Sequence, residues 1–323
     1  MKFQQDTTLN KILSEPYFAQ MDGQFVSSAI GDWFQDKRHL TLARLQNQNP
    51  TWDCKDIIYG LNRLQEIALG KKQYVYPIRD GVNLIHLSAK EKKSETYAIL
   101  NAGGAYGAVC TLMESLPVAA KLNELGIDCF CLNYRTADES SFRQGLMPKP
   151  LDDLAAAWSY IKERERQFGV CTEKYIVGGF SAGGHLTAMW GTPHRGARSY
   201  GIPNPKALLL AYPLVGLEHV QGPAANIIRT GMLGVGYTQE KVLEYSANRH
   251  VDAEYPAVYL VQALDDDTVP WQDAKDLETA LMVANVQYRM ERVESGGHGF
   301  GLGSITPADG WVERAIKFLE DMI

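Results

Sequence analysis

The sequence predicts an α/β fold, a mostly parallel central sheet covered by helices on both faces, and three observations predict it. From about residue 73 onward, short β-rich runs alternate with helical stretches, as parallel strands joined by crossover helices require. The middle runs are nearly continuous in apolar residues, which suits strands shielded on both faces. With 323 residues and 45% hydrophobic content, the chain is long and apolar enough to bury one large core.

The elements follow in order. The first seventy or so residues contain no strand run and read as helical and loop segments. Ile57, Leu61, Leu64 and Ala68 form a stripe of helical period that stops at Gly70, a residue suited to a helix end. An N-terminal helical extension, 1–72, thus precedes an α/β domain, 73–323. Three roles are open to the extension: a cap over the site, the surface of a homodimer, or packing on the sheet. Strands are expected at 74–78, 82–87, 96–101, 128–134, 174–179, 206–212, 257–263 and 287–293, with the first pair antiparallel at one edge. Residues 111–124 and 151–168 have helical spacing, and in the second Leu154, Ala157, Trp158 and Ile161 share a face. The stretch from Gly145 to Pro150 reads as a surface loop, and 271–284 and 310–322 as two closing helices.

Composition excludes several classes. Against 38 acidic residues the 32 Lys and Arg leave a net charge of -6, so no basic field exists to attract phosphate backbones, and nucleic acid is not an expected partner. No run approaches the roughly 18 apolar residues that cross a bilayer, and the start MKFQQDTTLNKIL lacks a signal-peptide core. A cytoplasmic protein without a membrane partner is the expectation. The cysteines, Cys54, Cys110, Cys129, Cys131 and Cys171, are odd in number and form no C-x-x-C pair, which suits reduced, buried thiols.

The strongest chemical signal is Gly179-Phe180-Ser181-Ala182-Gly183, after an apolar strand and before a helix-compatible HLTAMW. A serine on a sharp strand-to-helix turn exposes Oγ above the sheet, and sterics demand small residues two positions either side. The next N–H, that of Ala182, opens a helix, where negative charge is favoured. Such a pattern alone arises by chance; the company it keeps decides. Asn101 to Gly107, also after a strand, holds Gly103 and Gly104, whose lack of a Cβ lets backbone donors approach a developing oxyanion. Asp265-Asp266-Asp267 closes another strand, where a carboxylate can fix the tautomer of a histidine. A calcium-like cluster or a solvated turn would not explain that position between the serine and the histidine. His298, flanked by Gly296, Gly297 and Gly299, follows the last strand, which completes the chain order Ser, Asp, His. The other histidines, His39, His86, His185, His194, His219 and His250, lack a comparable setting, and His185 suits packing or hydrogen bonding one turn into the helix after Ser181.

Taken together, AGGAYG, LNYR, PLDDLAAA, GFSAGGHL, MLG, YSANRHV, DDDTVP and GGHGFGL resemble the acetyl-esterase and acetylxylan-esterase-like branch of the α/β hydrolases, which includes bifunctional feruloyl and acetylxylan esterases. The resemblance covers roughly residues 75–322. It implies the α/β-hydrolase fold, with Ser181 as nucleophile, His298 as base and Asp266 as the acid, set by its spacing to Val269-Pro270; Asp265 and Asp267, one residue to either side, stay open. Gly103, Gly104 and Ala182 are the implied oxyanion donors, and Tyr106 beside them a wall for the substrate. Two departures stand out. Ala102 replaces a His or Pro, which leaves the loop less anchored, and Ala105 replaces a third glycine, which narrows its backbone angles.

The implied reaction is serine hydrolysis of short acyl esters, acetyl foremost by the resemblance, through an acyl-enzyme, with acetylated sugars as the substrate class and neither metal nor organic cofactor. A small-amide hydrolase, formamidase or peptidase-like, is the nearest rival, although no propeller-like repeat precedes the domain. A long-chain lipase is disfavoured because no apolar lid segment is visible. A non-catalytic binding protein is disfavoured because serine, aspartate and histidine are all present.

Overall fold

Covered strands form where the run is almost wholly apolar. β3 (Tyr97–Asn101), β5 (Tyr175–Phe180) and β6 (Ala207–Ala211) are buried throughout. The computed structural model describes residues 2–320 apart from 33, 48 and 221–223. Among these residues β1 (Val75–Arg79), β2 (Val82–Leu87), β4 (Asp128–Asn133), β7 (Ala257–Ala263) and β8 (Tyr288–Val293) complete one sheet of order β1-β2-β4-β3-β5-β6-β7-β8. Only β2 runs against its neighbours, antiparallel to both β1 and β4. The other pairs are parallel.

Each strand lies within a residue of its sequence expectation; the helices differ more. The stretch 111–124 becomes helical only at Ser115, because the residues before it belong to the loop that leaves β3. Residues 151–168 form two helices, Lys149–Lys162 and Glu165–Phe168, the second ended by Gly169 at φ +65°. The last helix runs Trp311–Leu319, and residues 321–322 of its expected span lie outside the described residues.

Alternation along the strands feeds two cores. Ile99, Val177, Leu208 and Val258 point to the face covered by the helices Lys149–Lys162, Ser181–Trp190 and Trp271–Val283. Ala98, Leu100, Ile176 and Leu209 point to the other, beneath Cys54–Gly70, Ser115–Glu124 and Trp311–Leu319. The N-terminal extension belongs to this second core: Phe3, Leu9, Phe18, Phe25, Leu42 and Leu61 are all buried in it. All five cysteines are free thiols, with Cys129 and Cys131 at alternate positions of β4 facing that core. Among the described residues no helix is long and apolar enough to cross a membrane.

The topology fixes where a site can be. From β3 the chain crosses to β4 on one side and returns to β5 on the other, so the connections diverge above the carboxyl ends of β3 and β5. Such a switch point opens a crevice in α/β sheets. Asn101 is paired in register with Gly179, which brings the loop after β3 against the turn after β5.

Candidate active site

Ser181 begins the helix Ser181–Trp190 directly after β5, with φ +51°. That conformation is costly for a residue with a Cβ, and the surroundings enforce it. A Cβ on Gly179 would lie 2.2 Å from the Gly183 carbonyl oxygen, and one on Gly183 would lie 2.0 Å from that of Asn101. Both glycines are therefore required by close backbone approach.

His298 Nε2 lies 2.8 Å from Ser181 Oγ and His298 Nδ1 lies 2.8 Å from Asp266 Oδ2. The three aspartates divide sharply. Asp266 is buried; its Oδ1 accepts the N–H groups of Thr268 and Val269 at 2.9 and 2.8 Å, and its Oδ2 accepts from Gln262 Nε2 at 2.9 Å. Asp265 is exposed and accepts the N–H groups of Gly296 and Gly297, so it shapes the histidine loop without touching the imidazole. Asp267 is exposed, with Thr268 Oγ1 at 3.2 Å.

The loop after β3 requires a correction. The N–H of Gly103 is already engaged, donating to Glu114 Oε2 at 2.5 Å. Its single hydrogen is thereby withdrawn from the expected donor set. Among the described residues Gly104 and Ala105 N–H donate to no protein acceptor, and Ala105 and Ala182 line the cavity beside Ser181. Ala105 takes φ +52° despite its Cβ, so the missing third glycine is tolerated as strain rather than by a changed path. Nor does Ala102 leave the loop unanchored. Tyr134, from the LNYR stretch, donates its hydroxyl to the Ala102 carbonyl at 2.6 Å, and Asn101 Nδ2 donates to Thr187 Oγ1 at 3.0 Å.

Tyr106 lines the cavity with its ring, but its hydroxyl points elsewhere, 2.7 Å from His185 Nδ1. His185 Nε2 lies 2.7 Å from the Tyr245 carbonyl and must donate to it, so Nδ1 accepts from Tyr106. Burial pushes the His185 imidazole down to about 4, which keeps it neutral. Tyr106 is thus an apolar wall and offers no free hydroxyl.

The cavity over Ser181 measures about 60 Å³. Its far wall comes from residues after β6, Leu214, His219, Val220 and Ile228, the last on the helix Ala224–Leu233. No described residue of the N-terminal extension lines it. Asp273 closes the floor, accepting the N–H groups of Val215 and Gly216 at 2.5 and 2.9 Å; burial pushes its carboxyl up, while those two donors and His219 pull it down. Sequence reasoning missed Ile228 and His219, which lie outside the motifs of the segment after β6, and Asp273, which reads as one polar residue of the helix after β7. Glu114 was missed for a similar reason: it reads as one polar residue in an apolar helical stretch.

With the geometry described, comparison with known proteins gives concordant results. The family model BD-FAE matches residues 84–281. An acetylxylan esterase of Xylanibacter ruminicola is 25% identical over 224 residues, 68% of this chain and 43% of that protein. Endo-1,4-beta-xylanase B of Butyrivibrio fibrisolvens is 22% identical over 305 residues, 92% of this chain and 46% of its own length. The chain therefore spans less than half of these two curated relatives. Among solved structures, an acetyl ester-xyloside bifunctional hydrolase from Caldicellulosiruptor lactoaceticus superposes with a TM-score of 0.64 at 25% identity, covering 74% of this chain and 88% of that one. A carboxylesterase from Lactobacillus plantarum gives 0.62 at 21% identity, covering 74% and 92%. The fold is that of the α/β hydrolases.

Proposed function

We propose that this chain, which belongs to the BD-FAE family of α/β hydrolases, is a serine carboxylic-ester hydrolase acting on short acyl esters, acetyl foremost, and that acetylated sugars are its substrate class. The observation that carries the reading is the unbroken chain Ser181 Oγ, His298, Asp266, with both links at 2.8 Å. In the proposed reaction His298 Nε2 takes the Ser181 proton as Oγ attacks the ester carbonyl carbon. Asp266 holds Nδ1–H, fixes the tautomer and stabilises the imidazolium. The tetrahedral oxyanion is met by Ala182 N–H and, in place of Gly103, by Gly104 and Ala105 N–H. The imidazolium returns its proton to the leaving alcohol, and the acyl-enzyme is then opened by a water that His298 deprotonates.

The short-acyl preference rests on space. One water needs about 10–15 Å³, so a cavity of about 60 Å³ holds only a few small groups. Acetyl to butyryl fits; longer chains overpack, at a cost of about 1–3 kcal/mol. The sugar moiety is supported by the names of the relatives, an acetylxylan esterase and an acetyl ester-xyloside hydrolase. A series of p-nitrophenyl esters from acetyl to octanoyl, run beside acetylated xylo-oligosaccharides and the matching acetanilide, tests the whole reading. The expected kcat/KM peaks at acetyl to butyryl and acetate is released from the oligosaccharides. A profile still rising at octanoyl would sink the short-acyl claim, and faster cleavage of the anilide would sink the ester claim.

A further inference from the structure

We propose that Glu114 is a positioning residue for this hydrolysis, its buried carboxylate tying the oxyanion loop to the histidine loop through Tyr212 and standing as a second negative charge near His298. The inference rests on the ester-hydrolase reading of the site. Glu114 immediately precedes the helix Ser115–Glu124 and is 5% exposed. Burying a carboxyl there is unfavourable unless donors surround it. Two do: Gly103 N–H at 2.5 Å on Oε2 and the Tyr212 hydroxyl at 3.1 Å on Oε1. Tyr212 Oη in turn accepts the N–H of Gly301 at 3.0 Å. The proton order is unambiguous, since the phenol accepts from Gly301 and has its own hydrogen left for Glu114. One carboxyl thus joins the loop after β3, the end of β6 and the loop that carries His298.

The links lie against the reacting atoms. A Cβ on Gly103 would sit 2.8 Å from Ser181 Cβ and 3.1 Å from Glu114 Oε2, so Gly103 is wedged between the carboxyl and the nucleophile. Tyr212, held at φ +38°, sets its ring edge to face against His298, with centroids 5.1 Å apart, and against Phe300 at 4.6 Å. Strain of this kind in a residue with a Cβ persists only where the surroundings over-determine it. Fixing Gly103 orients the peptides that follow, which carry the Gly104 and Ala105 donors. The charge acts separately. When His298 takes the Ser181 proton, the imidazolium gains Glu114 as a second anion besides Asp266.

The ionisable groups that face Glu114 are His298 from the last loop, Tyr212 from the end of β6, Cys110 from the loop after β3 and Tyr134 from the end of β4. The last three are held neutral by burial, each pushed further up by the Glu114 charge. Burial pushes Glu114 itself up to about 7, against the downward pull of Gly103 N–H, His298 and Tyr212.

The test compares Glu114→Gln and Tyr212→Phe with the unaltered enzyme on p-nitrophenyl acetate, from about pH 5 to about pH 9. Glu114→Gln keeps the shape and removes the charge. Its kcat is expected to fall about 10- to 100-fold, a loss in the range of one misplaced electrostatic group, with KM within about two-fold. The acid limb of its kcat/KM profile is expected to move to lower pH, because the inflection that ionisation of Glu114 near about 7 adds in the unaltered enzyme is absent from the variant. Tyr212→Phe keeps the charge and cuts the link to Gly301, so kcat falls about ten-fold with the acid limb in place. Wild-type kcat in Glu114→Gln overturns the proposal, and so does a loss of kcat with an unmoved acid limb, which a merely structural residue would give. If Glu114→Gln does not fold, Tyr212→Phe decides, and wild-type kcat there overturns it. An unaltered enzyme that fails to cleave the ester at all refutes the ester-hydrolase reading instead, a separate outcome.

Discussion

At the scale of the residue, hydrogen-bond partners separate side chains that sequence alone leaves equivalent. Only Asp266 of the three consecutive aspartates reaches His298, so Asp266→Asn is expected to lower kcat by about 10³–10⁴ through the wrong tautomer. Asp265→Asn is expected to cost a few-fold, through the slackened Gly296 and Gly297 N–H groups, and Asp267→Asn nothing measurable. Equal losses at all three would point to an acidic cluster acting as a unit. Ser181→Ala is expected to abolish turnover and labelling by a serine-directed phosphonate while leaving the melting temperature within a few degrees. Glu114 gives a pH prediction of definite sign. Its folded form binds a proton more tightly than the ordinary value of 4.5, with the midpoint near about 7. Its contribution to stability is therefore fully present below about pH 4.5 and is lost as pH rises through about 7. Thermal unfolding across that window should show the wild type losing stability relative to Glu114→Gln, by on the order of a few kcal/mol, and a pH-independent gap would contradict the assignment.

At the scale of the element, two segments outside the recognised motifs meet the site. The helix Ala224–Leu233 supplies Ile228 to the far wall of the cavity, where no lid segment was expected from the sequence. Truncating a half-buried Ile there enlarges the acyl space, so Ile228→Ala is expected to shift the acyl optimum by about two carbons, at roughly 0.8 kcal/mol per methylene newly accommodated. An unchanged profile would place the acyl chain elsewhere. On the opposite side, Thr51 Oγ1 donates to the carbonyl of His298 at 2.8 Å, and Ser304 Oγ donates to Asp56 at 2.6 Å. Thr51→Val is expected to lower kcat several-fold with little change in KM and to cost about 1 kcal/mol of stability, and Thr51→Ser to restore both.

At the scale of the whole molecule, the N-terminal extension is continuous with the core beneath the sheet. Phe18, Phe25, Leu42 and Leu45 are at most 2% exposed, and Leu112 N–H, in the loop after β3, donates to the Phe25 carbonyl. Burying each such side chain contributes about 1.5–3 kcal/mol, so removing some fifty residues strips more than a marginally stable fold can lose. The expected outcome of that deletion is insoluble or unfolded protein rather than an active enzyme with a new acyl profile. A folded, active truncation with altered chain-length preference would restore the cap as the better account.

What the sequence by itself determined is what local chemistry and periodicity encode. The nearly continuous apolar runs gave the covered strands β3 to β7, as burial on both faces requires, and the turn at Ser181 and the loop at His298 were legible because each needs small or flexible neighbours at fixed spacing. The backbone angles at Ser181 and the close packing of Gly179 against Gly183 bear out the steric reason for GFSAG. What only the tertiary structure decided is everything that depends on residues far apart in the chain. Gly103 reads as a free donor until Glu114, eleven residues later, is folded onto its N–H. Tyr106 takes its expected place in the wall, but the engagement of its hydroxyl by His185 shows only in the fold, as does the closing of Leu214, His219, Val220 and Ile228 over Ser181. A backbone donor, a phenol or an isoleucine carries no local mark of what it will face, because its partner is chosen by the packing of distant segments rather than by the sequence around it.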